Sequence, residues 1–340
     1  MRKLYGQLTA VCGIILLSGL SAVAQPLVEE DSMPPRIIRN HFRHESLIIS
    51  DNDNYVLQLR DGYYTNGLML RFSHAATAKP GGNRLAKAVH SYELGQHIFN
   101  PVRFDSLNIA TQDRPFAGYL YGRFSRQLFY KHNAYLQLSG SLGVVGPASG
   151  AKQVQRWYHN TIGIYDVQGW SNQVKNEFHV QGSVQYVRSV WQKAQQQRRY
   201  DIATVTEANL GNAFVNAQAG LLLRAGLMEA YQNSAHFNGR VSRKGADAPV
   251  HHKEFYYFVQ PTLQWQGYNA SLQGGMLRSD KGPKTVAIEP WVWQLQTGFK
   301  LAQNRWTLCM HYVYRSKQAV GQQRTEKFLS IQIAYRTGGH

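Results

Sequence analysis

The chain has 340 residues, 37 of them basic and 20 acidic, which gives a formal net charge of +17 and a mean hydropathy of −0.40. No apolar run after residue 24 is long enough for a transmembrane helix, which excludes a helical membrane protein. The two cysteines, Cys12 and Cys309, exclude a disulfide framework, because Cys12 lies in an expected leader segment.

The N-terminus has the features of a secretory signal. Arg2 and Lys3 precede an apolar stretch at residues 8–20, and Ala22-Val23-Ala24 supplies a cleavage site. We expect residues 1–24 to be removed and residues 25–340 to form one domain, since the apolar stretch is too short for an anchor helix. The excess of positive charge favours an anionic partner, and for an exported chain phosphorylated lipid fits better than nucleic acid.

Period-two alternation recurs along the rest of the chain. In "KEFYYFVQPTLQWQG" and "KFLSIQIAYR" apolar residues alternate with Gln, Ser and Thr, with aromatic residues toward the ends. A soluble β-sandwich would also alternate, but its polar face would carry more charge. The pattern predicts an all-β protein, a transmembrane antiparallel β-barrel of about twelve strands. The expected strands start near residues 45, 63, 89, 116, 133, 176, 198, 214, 254, 289, 305 and 326.

An even strand count places both termini in the periplasm, so the loops after odd-numbered strands face outward. The longest of these, residues 146–175, contains a stretch at 151–164 with few helix breakers, preceded by "GPASG". We expect a helix there, over the rim and mouth of the barrel. Gln155 and His159 are four residues apart and would share one face of it.

The same topology brings distant polar residues to one rim. Asn52 and Asp53 end the first strand, Thr65 begins the second, and His159 lies in the third outward loop. A carboxylate, amides, a hydroxyl and an imidazole are therefore expected to meet where the outer leaflet begins.

These segments resemble a known family. "NDN" with "YYTNGL", "DRPFAGYLY" and "GVVGPASGAKQVQRWYHNTIG" are similar to motifs of the outer-membrane lipid A 3'-O-deacylase family, in the same order and with similar spacing over most of the mature chain. The resemblance implies a twelve-stranded barrel in the outer membrane of a Gram-negative bacterium, with its site facing outward. It also implies a calcium-dependent esterase, acting as a monomer on lipopolysaccharide, that removes the 3'-linked acyl chain of lipid A.

The family's site residues carry over by position. Its Asn-Asp pair falls on Asn52 and Asp53, which the resemblance assigns to Ca²⁺, and its threonine falls on Thr65. Its glutamine and histidine fall on Gln155 and His159. With Thr65 and Gln155 as supporting catalytic groups, His159 is expected to activate water, a role suited to an imidazole near neutral pH.

Two supporting positions stay open. Some family members have an acidic residue six positions after the histidine, where this chain has Tyr165, so Asp166 or Glu177 is a candidate substitute. Arg103 is a candidate for a basic residue that the family uses in the second outward loop.

Less specific interpretations exist for each residue and for the whole chain. The segment "DNDN" is typical of an ordinary turn. A histidine in a loop usually lies on the protein surface, and Thr65 would be an ordinary residue of a strand. A serine mechanism has no G-x-S-x-G motif in its favour, although triads form in space. The alternative function is a non-catalytic outer-membrane barrel, a porin or adhesin, which the Gln- and Ser-rich inner face would also suit.

Overall fold

The computed structural model describes residues 42–56, 62–76, 84–102, 108–163, 165–195, 198–243 and 253–338. The expected signal segment and Arg103 lie outside these residues. None of the helices in the described ranges is long and apolar enough to cross a membrane.

Twelve strands in the described part of the chain form a closed barrel in which each strand pairs antiparallel with its neighbours in sequence and β1 pairs with β12. They are β1 (His44–Asn52), β2 (Tyr63–Ala75), β3 (Leu85–Asn100), β4 (Ala117–Tyr130), β5 (Ala134–Val145), β6 (Glu177–Gln195), β7 (Arg198–Gly211), β8 (Phe214–Leu227), β9 (Lys253–Asn269), β10 (Trp291–Gln303), β11 (Trp306–Arg315) and β12 (Glu326–Thr337). Two α-helices lie between strands in the described residues, α1 (Ala151–Ile162) and α2 (Ala270–Gln273). The expected fold class is confirmed.

The expected strand starts agree with the structure to within two residues except at β3, which begins at Leu85 and not near residue 89. The cause is local. The register shifts between Leu85 and Lys87, and the Lys87 side chain is buried and donates a hydrogen bond to the Gly239 carbonyl. An irregular register with a buried lysine hides the alternation by which a strand is recognised in a sequence.

The outer wall is apolar and has aromatic residues at both ends. Exposed side chains such as Leu70, Leu94 and Leu142 cover its middle. The exposed aromatic residues toward the ends include Trp265 and Trp291 at one end, and Trp191, Trp306 and Tyr335 at the other. Such an apolar band between aromatic girdles is typical of barrels that cross the outer membrane. We call the end that carries the described chain termini the terminal end, and the opposite one the loop end.

The interior of the terminal end is filled by the connection between β8 and β9. Tyr231, Phe237 and Val241 from this connection pack against inward-facing residues of the wall, among them Tyr135 and Phe258. Buried ion pairs surround this core, joining Arg224 to Asp201 at 2.7 Å, Arg240 to Glu254 at 3.1 Å and Arg336 to Glu45 at 2.8 Å. We call this connection the plug. The alternation in the strands did not predict it, because its residues lie in a loop.

A closed barrel with these pairs should resist detergent denaturation at room temperature. We expect the protein to migrate faster on a gel when unheated than after boiling, and to show a β-rich circular dichroism spectrum in detergent. A protein that stays soluble without detergent and shows no heat-dependent shift would contradict the membrane-barrel assignment.

Candidate functional site at the loop end

The first part of the site forms where β1 and β2 meet at the loop end. Asn52 pairs with Asn66 across the two strands, and the register then shifts between Tyr64 and Asn66, which leaves Thr65 as a bulged residue. The Asp53 amide donates a hydrogen bond to the Thr65 carbonyl at 3.3 Å. Bulges of this kind reorient side chains beside functional sites. The structure thus brings Asn52, Asp53 and Thr65 together, and all three are buried.

The turn after β1 uses two of these side chains. Oδ1 of Asn52 accepts a hydrogen bond from the Asn54 amide at 2.7 Å, and Oδ2 of Asp53 accepts one from the Gly62 amide at 2.9 Å. This is the turn chemistry that an Asn-Asp sequence favours. Both residues therefore have a structural role, whatever else they bind.

Tyr63 holds the start of β2 in an unusual conformation. Its φ of 63° lies in the left-handed region, which is uncommon for a bulky side chain. The Tyr63 hydroxyl donates to Oδ2 of Asp113 at 2.5 Å and accepts from the amides of Gln323 at 2.8 Å and Arg324 at 3.0 Å. The loops before β4 and β12 thereby fix the strained residue, and with it the bulge at Thr65.

Two buried polar side chains here have no hydrogen-bond partner among the described residues. They are Thr65, through its Oγ1, and Asn100, through both its Oδ1 and its Nδ2. Asn100 ends β3, lies opposite Tyr63 and is fully buried. Such groups cost free energy unless a ligand, ion or water satisfies them, so Thr65 and Asn100 are candidates for contacting a bound ligand or ion. Sequence reasoning missed Asn100, because an asparagine at a strand end carries no distinguishing signal.

The second part of the site is the expected helix. Helix α1 lies between Gly150 and Gly163, both in the left-handed conformation, which glycine adopts without strain and which is common at helix C-termini such as Gly163. Its buried face carries Ala151, Gln155 and His159, which follow one another at intervals of four residues. The expectation that Gln155 and His159 share one face is confirmed.

Helix α1 lies at the rim, as expected, but its contacts are with the outer wall and not across the mouth. Ala151 packs with Ile98 of β3, and a side chain at Gly118 of β4 would come within 2.4 Å of the Ala151 Cβ. Ile98 and Gly118 alternate in phase with the exposed residues Leu94 and Phe124, so they belong to the outward face. The expected position over the mouth is therefore wrong: the glycine lets the helix approach the wall from the lipid side.

The imidazole of His159 is held in one orientation. Its Nδ1 lies 2.7 Å from the carbonyl oxygen of Tyr165. A carbonyl can only accept, so Nδ1 carries the proton and, in the neutral ring, Nε2 is the basic nitrogen. The neighbouring Gln155 accepts a hydrogen bond from Nε1 of Trp170 at 2.9 Å. Both polar side chains are thereby fixed beneath the helix.

The two acidic residues left open by the sequence have their own partners. Asp166 lies 3.5 Å from Nε of Arg156 and accepts from Gln168 at 2.9 Å. Glu177 accepts from the amides of Met276 and Leu277 at 2.9 and 2.8 Å, which organises the loop before β10. In the described residues the backbone carbonyl of Tyr165 orients His159, while Asp166 and Glu177 are engaged elsewhere.

Arg114 supports the rim from within. Its guanidinium donates to Oγ of Ser271 at 3.0 Å, lies 3.7 Å from a carboxylate oxygen of Glu326, and stacks over Phe99. Burial lowers the pKa of Arg114 to about 10, while Glu326 opposes that shift. The residue thus remains charged at neutral pH and ties the loops before β4, β10 and β12 together.

The Asp53 carboxylate is an oxygen ligand of the kind that a hard cation takes. In the described ranges, no group of three or more His, Cys, Asp and Glu residues is arranged to hold a metal. A metal at this rim would therefore depend on the Asp53 carboxylate together with amide, hydroxyl and backbone oxygens, including the buried Oγ1 of Thr65. An oxygen-only set with few carboxylates is suited to calcium and unsuited to zinc or copper.

The fold and the site define a class: an outer-membrane β-barrel with a buried polar site at one rim. The family model described as "Outer membrane protein LpxR" matches residues 10–337. The chain belongs to this family of outer-membrane proteins.

The fold is also similar to that of solved structures. The structure described as LpxR from Salmonella typhimurium is similar with a TM-score of 0.72 and 19% identity, covering 86% of this chain and 99% of the other. At that identity the similarity establishes the fold. The beta domain of the Bordetella autotransporter BrkA is similar with a TM-score of only 0.42 and 11% identity, covering 86% of this chain and 98% of the other. No curated protein sequence matches this chain.

Proposed function

We propose that this protein is a calcium-dependent esterase of the outer membrane that hydrolyses the 3'-linked acyl chain of lipid A, with its site facing outward. Membership of the LpxR family and the likeness to the Salmonella barrel support this proposal. The observation that carries it is the orientation of His159, buried on a helix that packs on the lipid-facing wall with its Nδ1 bound to a backbone carbonyl.

In this mechanism His159 is the general base. Its Nε2 accepts a proton from the water that attacks the ester, and the Tyr165 carbonyl stabilises the imidazolium through Nδ1. When the tetrahedral intermediate collapses, the imidazolium returns this proton to the sugar oxygen, which leaves as the alcohol. Water is the simplest nucleophile, since it requires no activated serine.

The other site residues bind and position. The Thr65 hydroxyl, buried without a partner among the described residues, orders the attacking water or a metal ligand. Gln155 places a polar group on the buried face of the helix, and its hydrogen bond with Trp170 fixes that face. Asn52 and Asp53 would hold the calcium ion, which when bound would supply positive charge to the ester carbonyl and to the oxyanion.

Basic residues around the helix suit a phosphorylated lipid. Arg156 and Lys175 are about half exposed, and their carboxylate partners lie at 3.5 Å for Asp166 and 3.9 Å for Asp280. Exposed pairs of this kind contribute little to stability, so an anionic head group can compete for the cations. These basic residues support lipid A as the substrate, whereas the porin alternative does not require them.

The direct test is mass spectrometry of lipid A from cells that express the protein and from cells that lack it. We expect expression to produce a species that has lost one ester-linked acyl chain. Identical lipid A in both cell lines, with the folded barrel present in the outer membrane, would count against the proposed function and favour the porin or adhesin alternative.

A separate prediction concerns Thr65. Replacing it with valine keeps the branched shape but removes a hydroxyl that has no partner among the described residues, so the free energy of unfolding should not fall. Ester hydrolysis should drop by about 10- to 100-fold, the usual value of one hydrogen bond to a charged group. Thermal unfolding and a turnover assay on the same preparation check both parts. Unchanged turnover would remove the hydroxyl from the mechanism.

A further inference from the structure

The lipid-facing wall below the site contains a groove of about 750 Å³. Its lining follows two rows of residues that face each other across β1 to β5. The upper row is Ile48, Leu70, Leu94, Gly122 and Leu142, and the lower row is Ser46, Phe72, Tyr92, Phe124 and Gly140. Between the two rows the lining also includes Leu47, Arg71, Glu93 and Arg123, and both arginines pair with Glu93. We call this depression the outer groove.

Two glycines provide the space in the outer groove. Gly122 lies between Leu94 and Leu142 in the upper row, and Gly140 lies beside Phe124 in the lower row. A Cβ added at either glycine would meet no atom within 4 Å. Neither residue has a positive φ, so the backbone does not require glycine there. The local structure therefore gives no reason for glycine at these two positions. Their effect is an open groove in a wall that side chains otherwise cover.

The outer groove is aligned with the candidate site. One row of paired residues crosses β1 to β4 above the groove and consists of Asn52, Asn66, Ile98 and Gly118. On β1 and β2 this row belongs to the site, and on β3 and β4 it contacts helix α1. Along β1, Ile48 lies four residues and Ser46 six residues from Asn52 toward the terminal end. At ~3.3 Å per residue and a strand tilt of ~40°, the two rows of the groove lie about 10 Å and about 15 Å below the site. That depth corresponds to one leaflet, since the hydrocarbon core is ~30 Å thick.

We propose that the outer groove binds the acyl chain whose ester is cleaved, and that Gly122 and Gly140 determine how long that chain can be. This inference rests on the proposed function. The occupant is a hydrocarbon chain because the side chains lining the groove's outward face are almost all apolar and the surrounding solvent is lipid. A chain whose ester lies at the row of Asn52 and Asn66 would cross the row of Ser50 and Leu68 and then enter the groove.

The test compares two purified lipid A substrates that differ in the length of the 3'-linked chain, each in detergent micelles with calcium. Gly122→Leu and Gly140→Leu fill the groove. Each should lower kcat/KM for the longer chain by about tenfold or more relative to the shorter one, because a few methylene contacts are lost. Leu142→Ala enlarges the groove and should move the ratio in the opposite direction.

Ala219→Leu is the matched control, since Ala219 is an exposed residue of β8, outside the strands that form the groove. It adds the same side chain to the wall and should leave the ratio unchanged. The heat-dependent gel shift verifies that each variant is folded. A ratio that stays constant in the folded groove variants, or that Ala219→Leu changes equally, overturns the groove assignment while leaving the esterase in place. A folded wild-type protein that releases no acyl chain from either substrate overturns the proposed function and the groove assignment with it.

Discussion

Replacing His159 with asparagine should lower ester hydrolysis by about 10²–10⁴-fold, the usual contribution of a general base, while the barrel remains folded. The structure gives the reason: Nδ1 is bound to the Tyr165 carbonyl, so the proton can be accepted only at Nε2. For the same reason the wild-type rate should fall as the pH is lowered through the range in which an imidazole becomes protonated. A turnover assay from pH 5 to 8 measures both effects.

The control for this variant is His132→Asn. His132 is an exposed histidine in the turn between β4 and β5, at the opposite end of the barrel, and its replacement should leave the rate unchanged. Near-normal turnover of folded His159→Asn would remove the residue from the mechanism. An acyl group trapped on a serine would contradict direct attack by water.

Asp53→Asn should abolish calcium-dependent turnover although it preserves the local turn. The asparagine oxygen can still accept the Gly62 amide, as Oδ2 of Asp53 does at 2.9 Å, but the negative charge is lost. Chelation of the wild-type protein should have the same effect, and added calcium should restore the wild type but not the variant. If Asp53 serves only the turn, Asp53→Asn would keep its activity and only Asp53→Ala would lose it.

Thermal unfolding gives a readout of calcium binding that does not depend on activity. A ligand that binds only the folded state raises the unfolding temperature with its concentration. We expect calcium to raise it for the wild type and for Asp280→Asn, which alters an exposed carboxylate in the loop before β10. The shift should be absent in Asp53→Asn. Full wild-type activity in excess chelator, with no calcium-dependent shift, would refute the metal proposal.

The sequence predicted the strands well because a barrel wall in lipid imposes strict alternation. One face must be apolar, so residues such as Phe255 and Tyr257 determine both the strand and its phase. The helix was predictable for a different reason: a glycine lies at each of its ends and few helix-breaking residues interrupt it. Because each strand pairs with its neighbours in sequence, the order of the strands around the barrel then follows from their order in the chain.

The site was predictable only in part. The row of polar residues at the loop end follows from topology, but the bulge at Thr65 depends on Tyr63 being held by Asp113, 50 residues away. The approach of α1 to the outer wall depends on Gly118, which looks like any strand glycine in the sequence. Asn100 and the plug between β8 and β9 were missed because burial in loops and at strand ends leaves no periodic pattern.

The most direct measurement of the central claim is tandem mass spectrometry of purified lipid A incubated with the purified protein and calcium. The proposed mechanism predicts release of one free fatty acid, with the loss located at the 3' ester, the amide-linked chains intact, and ¹⁸O from labelled water in the fatty acid carboxyl. His159→Asn should give about 10²–10⁴-fold less of this product in the same time. Loss of a chain from another position, or an equal yield from His159→Asn, would contradict the mechanism proposed for this site.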